Sequence, residues 1–450
     1  MKRKIYSLLL EWKDKHAHRE ALMIDGARRV GKSWIAEEFG KNEYRSYILI
    51  NFSKIDAELK LIFDNYLAKP DEFFQRIQLY YSKKLFPHES LIIFDEVQLY
   101  PKAREAIKWL VEDGRYHYLE TGSLMSIREN TQNIVIPSEE HHIEMYPMDF
   151  EEYLWAKGLD MMPGFIKECF DNQAPIGQAL HRKIYDNLRE YMIVGGMPQA
   201  VKEYIQTRDF EETDHIKRTI LQLYRNDIYK YAGKDAEKVI QIWDAIPSQL
   251  QKHEKRFRIG EIKKGTRSRT YADAFLWLRE AMVINICWAS TEPNVGLNLN
   301  RDDSRYKIYM GDTGLLISHA FDAKTIKAEE LYRKLILDKL EINKGMLVEN
   351  LVSQMLKANG HPLFYYSSSN HTDRKDEMEI DFLTQKPSLS NRHNINALEV
   401  KSTTRTIFRS LEKFRDKYGH YLNQSIILYS GDVKKQGDFL FLPLYMALYL

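Results

Sequence analysis

Ala21-Leu22-Met23-Ile24-Asp25-Gly26-Ala27-Arg28-Arg29-Val30-Gly31-Lys32-Ser33 is the stretch on which the reading of this chain turns. Ala21 to Ile24 is a short apolar run of the kind that forms a buried central strand. It breaks at Gly26, and Gly26 to Ser33 matches G-x-x-x-x-G-K-[ST] at every fixed position. Glycines let such a loop curl until successive backbone N–H groups point into one concavity at a helix N-terminus, a ready anion nest. Lys32 then reaches the outer phosphates of a nucleotide, and the Ser33 hydroxyl can ligate Mg²⁺. A helix-forming run, Trp34 to Phe39, follows. The expected phosphate cradle is Gly26, Ala27, Arg28, Arg29, Val30, Gly31, Lys32 and Ser33, with ATP and Mg²⁺ as the cofactors.

Working outward, 450 residues are too many for one compact core, so two to four domains are expected. Hydrophobic content of 44% with 29% charged residues is globular rather than disordered. The 66 basic and 64 acidic residues leave a net charge of +2, so any nucleic-acid contact must come from local patches. Two cysteines, Cys169 and Cys287, make neither a disulfide framework nor a zinc site, and a reducing cytoplasm fits best. Ser7 to Leu10 runs at once into Glu11, Lys13, Asp14 and Lys15, an amphipathic helix rather than a signal peptide. Phe439 to Leu450 is too short to span a bilayer and contains Pro443, so it reads as a buried terminal strand and turn. No membrane association is expected.

Tyr47 to Phe52 reads as a second core strand. Leu91-Ile92-Ile93-Phe94-Asp95-Glu96 has the shape of a Walker B strand. Asp95 is then expected to hold Mg²⁺ and Glu96 to orient or deprotonate the attacking water. Tyr116 to Glu120 is the next strand candidate, ending in Thr121-Gly122-Ser123, where Thr121 and Ser123 are placed to sense the nucleotide. Strands alternating with helices predict an open, mostly parallel sheet whose ligands sit at the carboxyl ends of the strands.

Residues 1–160 resemble the AAA-type ATPases of bacteria and archaea in which Val97-Gln98 follows the acidic strand end and Thr-Gly-Ser is the sensor. In that family the domain closes as here in Tyr146-Pro147-Met148-Asp149-Phe150-Glu151-Glu152-Tyr153-Leu154. Many relatives carry a Gly-Arg pair just before that stretch, where this chain reads Pro137-Ser138-Glu139-Glu140-His141-His142. The missing arginine removes the residue that would act there as an arginine finger. His141 and His142 lack a partner at ligand spacing and read as a strand edge rather than a metal site.

From 160 to 250 the pattern is helical, broken by the forced turn Val194-Gly195-Gly196-Met197-Pro198, which the ATPase family also carries. Arg225 has two readings, a lid residue or an ion pair with Asp227 or a neighbouring helix. Residues 236–290 resemble a winged helix, with helices over 236–250, 258–264 and 269–282 and the strand 283–288 leading to a wing. Lys252, Lys255, Arg256, Arg258, Lys263, Lys264, Arg267 and Arg269 crowd between 251 and 270. That run is either a DNA phosphate contact or a solvated face. Asp312-Thr313-Gly314 has no second copy to make an aspartic-protease pair, and reads as a turn.

The last third has its own chemistry. Lys344 to Leu356 reads as a helix carrying Glu349; 379–384 and 397–401 read as strands joined by a polar loop. Period-two alternation puts Glu399 and Lys401 on one strand face, and Asp381 supplies an acid next to them. This half resembles the C-terminal domain of the same ATPase family, itself similar to PD-(D/E)xK nucleases of the restriction-endonuclease fold. The resemblance implies metal ligands Glu349, Asp381 and Glu399, catalytic Asp381 and Glu399, and Lys401 to position water or stabilise the phosphorane. A retained scaffold that binds without cutting is the other reading.

The expected architecture is therefore α/β, a P-loop NTPase parallel sheet with a helical lid, a winged-helix region and a C-terminal restriction-endonuclease-like α/β domain. Its boundaries are an AAA-type ATPase domain 1–160, a lid or connector 161–235, a winged helix 236–325 and a nuclease-like domain 326–450. The expected activity is ATP hydrolysis coupled to DNA engagement. The alternative is a nucleotide-dependent switch acting on a protein partner. ATP, DNA, a protein and a second copy of the chain are the candidate partners.

Overall fold

The computed structural model describes residues 1–123, 137–252, 256–262, 268–294, 296–321, 327–336, 344–368, 377–386, 393–404 and 407–450. They form two compact units, Lys2–Tyr146 with Glu280–Met282, and Pro147–Arg279 with Val283–Leu450 and Met1.

In the first unit, β1 (Ala21–Gly26), β2 (Ser46–Asn51), β3 (Ser90–Asp95), β4 (His117–Thr121) and β5 (Glu140–Met145) form a five-stranded sheet in the order β2-β3-β4-β1-β5. Every pairing is parallel. β1, β3 and β4 are buried along their whole length, and the apolar runs of β1 and β3 follow from being covered on both faces. β5, at the edge, is only partly covered and exposes the adjacent His141 and His142. Helix Ala57–Tyr66 starts where the Asp56 carboxylate accepts the Leu59 N–H, and helix Pro70–Tyr81 starts on a proline whose missing N–H costs nothing there. These two helices bring Phe63, Phe73 and Phe74 into one core with Phe52, Phe94 and Tyr100. Because all strands run the same way, Gly26, Asn51, Asp95 and Thr121 end at one edge of the sheet.

In the second unit, helices Gln178–Val194, Pro198–Thr207, Phe210–Tyr231 and Ala236–Leu250 fill the region read as helical. The double-glycine turn between the first two is locked from below. Asp312 caps helix Thr313–Ala320 by accepting the Leu315 N–H at 2.8 Å, and its other oxygen accepts the Gly196 N–H at 2.5 Å. The Asp-Thr-Gly stretch is thus a helix cap that also anchors a distant turn. Arg225 pairs bidentately with Asp244 on the neighbouring helix, at 2.8 and 2.6 Å.

An eight-stranded mixed sheet completes this unit, in the order β12-β13-β11-β10-β9-β8-β6-β7. Its strands are β6 (Ile284–Ser290), β7 (Arg301–Met310), β8 (Phe364–Ser368), β9 (Met378–Gln385), β10 (Ile395–Val400), β11 (Leu422–Tyr429), β12 (Lys434–Gln436) and β13 (Phe439–Pro443). The strand expected to lead to a wing is β6. It pairs antiparallel with β7, and it also pairs in parallel with β8, so the sheet runs across the boundary expected at 325/326. Of the winged-helix pattern, the second helix is described only as Ile259–Ile262 and the third as Ala272–Glu280 after a 3₁₀ turn. Lys255, Lys263, Lys264 and Arg267 of the basic run lie outside the described residues, as does most of the polar loop between β9 and β10. The closing stretch 146–154 straddles the division between units: Asp149 and Glu152 form a capping box on helix Phe150–Ala156.

Candidate functional site

The loop after β1 has the shape an anion nest requires. Arg29 (φ 71°) and Gly31 (φ 101°) take left-handed backbone conformations, and Gly31 leads into helix Lys32–Glu43. Glycine suits that position because it reaches this φ without a Cβ penalty. Lys32 is buried, and its Nζ donates to the carbonyls of Gly26 (2.9 Å) and Ala27 (3.0 Å), tying the loop across its own mouth. Burial pushes its pKa down, against Glu96, Asp25 and Asp95, whose charges pull it up.

Three strand ends and the helix meet at Asp95. Ser33 Oγ and Thr121 Oγ1 each donate to Asp95 Oδ1 at 2.6 Å, and Asn51 Nδ2 donates to Oδ2 at 2.6 Å. The β2–β3 register makes this unavoidable, since Asn51 lies opposite Asp95. Ser33, Asp95 and Thr121 thus come together at one carboxylate. Asn51 was missed, although a polar residue ending an apolar strand beside the acidic one was a usable signal. Glu96 takes φ 56°, uncommon for a non-glycine residue, and its carboxylate accepts from Gln98 Nε2 at 2.5 Å. Ser123 is half-buried at the end of the sensor stretch. The hydroxyl of Ser33 beside the carboxylate of Asp95 fits a hydrated Mg²⁺, whose preferred ligands are all oxygen.

Beneath the loop lies a charge network the sequence reading did not contain. His142 joins Asp25 (2.6 Å) to Glu140 (2.8 Å), and Arg104 forks onto Glu140 at 3.1 and 2.6 Å. Glu120 is fully buried beside Glu140, and burial followed by the Glu140 charge lifts its pKa well above the carboxylate range.

The second unit carries a separate cluster. Glu349, on helix Lys344–Ala358, accepts from Tyr309 Oη at 3.1 Å. Asp381 Oδ2 accepts the Val400 N–H at 2.8 Å, and Lys401 Nζ lies 2.5 Å from Glu399 Oε1. Burial, against the neighbouring Lys401 charge, lifts the Glu399 pKa to about 6. Lys307, on β7, is only 1% exposed, with Nζ 2.6 Å from Glu379 and 3.8 Å from Asp381. Its signal in the sequence was a single cation inside the apolar run Tyr306 to Met310. Among the described residues, no three or more His, Cys, Asp or Glu side chains are grouped to hold a metal ion. The donor set therefore does not fit the expected ligation by Glu349, Asp381 and Glu399. No described helix is long and apolar enough to cross a membrane.

Residues 18–154 match the family model described as an AAA domain. They form an AAA-type ATPase-like domain. Residues 185–325 and 344–446 each match a model described as a domain of unknown function. A comparison with curated proteins gives no match. Among solved structures, PCH-2 of C. elegans is 13% identical at a TM-score of 0.20, over 37% of this chain and 44% of that one. Cdc6p of Pyrobaculum aerophilum is 12% identical at 0.22, over 75% and 93%. The Hef helicase domain of Pyrococcus furiosus is 10% identical at 0.18, over 97% and 96%.

Proposed function

We propose that this chain binds Mg-ATP and hydrolyses it at the edge of the five-stranded sheet. The observation that carries the reading is the meeting of Ser33, Asn51 and Thr121 on the single carboxylate of Asp95, directly beside Glu96 and the phosphate loop. Bound ATP supplies the phosphoanhydride and Mg²⁺ the charge neutralisation. Lys32 exchanges its two loop carbonyls for phosphate oxygens. Ser33 would ligate Mg²⁺ and Asp95 would hold it through its water shell, while Asn51 and Thr121 keep the Asp95 carboxylate in one orientation. Glu96 takes a proton from, or orients, the lytic water once Gln98 releases its carboxylate.

Coupling of this turnover to DNA rests on the basic run 251–270. In the described part of that run Lys252 is already paired with Glu261. The second reading, a switch on a protein partner with a C-terminal scaffold that does not cut, is favoured by the buried Lys307 among the carboxylates of that unit.

Phosphate release separates these readings. Lys32→Ala should abolish triphosphate binding. Glu96→Gln should keep binding and lower turnover by about 10²-fold or more, because removing a positioned general base costs that much. Wild-type turnover that rises with added DNA supports DNA coupling, and an unchanged rate favours the protein partner. Wild-type turnover in Glu96→Gln would sink the assignment of Glu96.

A further inference from the structure

We propose that Lys307 is the built-in cation of the C-terminal carboxylate cluster, standing where the nuclease-like reading requires a divalent metal ion, and that the cluster binds no metal. The inference does not rest on nucleotide chemistry in the first unit. An ion bridging Asp381 and Glu399, with Glu349 behind them, needs free carboxylate oxygens facing one space. Here each carboxylate is already engaged through at least one oxygen, and among the three only Glu399 keeps a buried oxygen, Oε2, without a hydrogen bond. Asp381 has one oxygen on the Val400 N–H and the other turned to Lys307. Glu349 is held by Tyr309, and Glu399 by Lys401. The charge among these acids is an ammonium that reaches Glu379 at 2.6 Å and Asp381 at 3.8 Å.

That ammonium has no room to swing aside for an ion. Lys307 is 1% exposed, its Nζ lies 4.9 Å from the centre of the Tyr365 ring, and its backbone sits in register with the buried Cys287 of β6. A buried ammonium is kept only when it is paired, and the half-buried Glu379 and Asp381 would repel one another without it. Lysine thus does for this cluster what a divalent ion does for a metal-dependent one: it neutralises the acids and holds the strands that carry them. A second cation placed against the same oxygens would meet the repulsion of the first.

The test uses the full chain without nucleotide, titrated with Mn²⁺ and followed by electron paramagnetic resonance of the free ion and by thermal melting. Wild type and Asp381→Asn should bind the same amount of Mn²⁺ and show the same melting response, so any ion taken up at Ser33 and Asp95 cancels. Lys307→Met should melt lower than wild type in metal-free buffer and recover several degrees with Mn²⁺, because removing the ammonium opens the site to an ion. Mn²⁺ bound by wild type and lost in Asp381→Asn overturns the proposal. A folded Lys307→Met that ignores Mn²⁺ overturns it too. Should Lys307→Met fail to fold, the comparison of wild type with Asp381→Asn decides alone.

Discussion

His142 shows how much a single side chain can carry here. It keeps its proton more tightly folded than unfolded, with its pKa raised to about 9 by Asp25 first and Glu140 second. A raised pKa in the folded state gives stability that is whole below the unfolded value near 6.5 and lost as pH climbs through about 9. Glu140 has the opposite sign. Burial would raise its pKa, but the bonds from His142 and Arg104 outweigh burial and bring it down to about 2. Its share is present above about pH 4.5 and lost on the way to 2. Melting temperatures of wild type and His142→Ala should therefore differ most near pH 6, by roughly a few degrees, and converge towards pH 10. A gap of constant size across that range would mean the proton plays no part. None of this was legible in the sequence, where His141 and His142 look alike. The meeting of Ser33, Asp95 and Thr121 was legible because each stands where an apolar strand or the glycine loop ends, and parallel strands end together. Asn51, His142 and Lys307 were not, because each acquires its role from a residue on another strand that only the pairing brings close.

At the scale of elements, local signals were read well where the backbone itself had to do something unusual. Strand, loop and helix around Gly26–Ser33 follow from apolar run, glycine and helix former in that order. The Gly-Gly-x-Pro break was legible as a turn, but its partner was not. Met148 donates its N–H to the Gly196 carbonyl at 2.7 Å, and the Gly196 N–H goes to Asp312. A Cβ on Gly196 would lie 2.0 Å from the Met148 carbonyl oxygen, which is backbone and cannot turn away. Gly196→Ala should thus cost roughly 1–3 kcal/mol, the cost of forcing extra volume into a packed interior, read as a lower denaturation midpoint. Asp312→Asn should cost less, since an amide oxygen still accepts one of the two N–H groups. Equal stability of Gly196→Ala and wild type would mean that the turn can open at no cost. The winged-helix reading fared differently. Helix lengths and a following strand were in the sequence, and that strand does pair antiparallel with the nearby β7, but its additional parallel pairing with β8 is a long-range choice that periodicity does not encode.

Across the whole molecule, what holds the second unit together is chain that the sequence reading assigned to a neighbouring domain. β6 and β7 close the end of the eight-stranded sheet beyond β8. Helix Lys344–Ala358 depends on them as well. Asn350 accepts the Met310 N–H at 2.8 Å, Gln354 accepts the Thr313 N–H at 2.9 Å, and Glu349 takes the Tyr309 hydroxyl. Lys307 adds the counter-charge for Glu379 and Asp381. A fragment of residues 326–450 would lose all of these at once. It would take from the buried Asn350 and Gln354 side chains the partners named above, leave the β8 edge unpaired, and deprive Glu379 and Asp381 of the Lys307 charge. Residues 147–450 keep every one of them. The shorter fragment is accordingly expected to retain helix and strand by far-ultraviolet circular dichroism, lose its near-ultraviolet signal and bind a hydrophobic dye, while the longer one melts in a single cooperative transition. If residues 326–450 alone melt as sharply as the longer fragment, then β8 to β13 make a self-sufficient core, and both the counter-charge from Lys307 and the anchoring of the helix by β7 contribute far less than their burial implies.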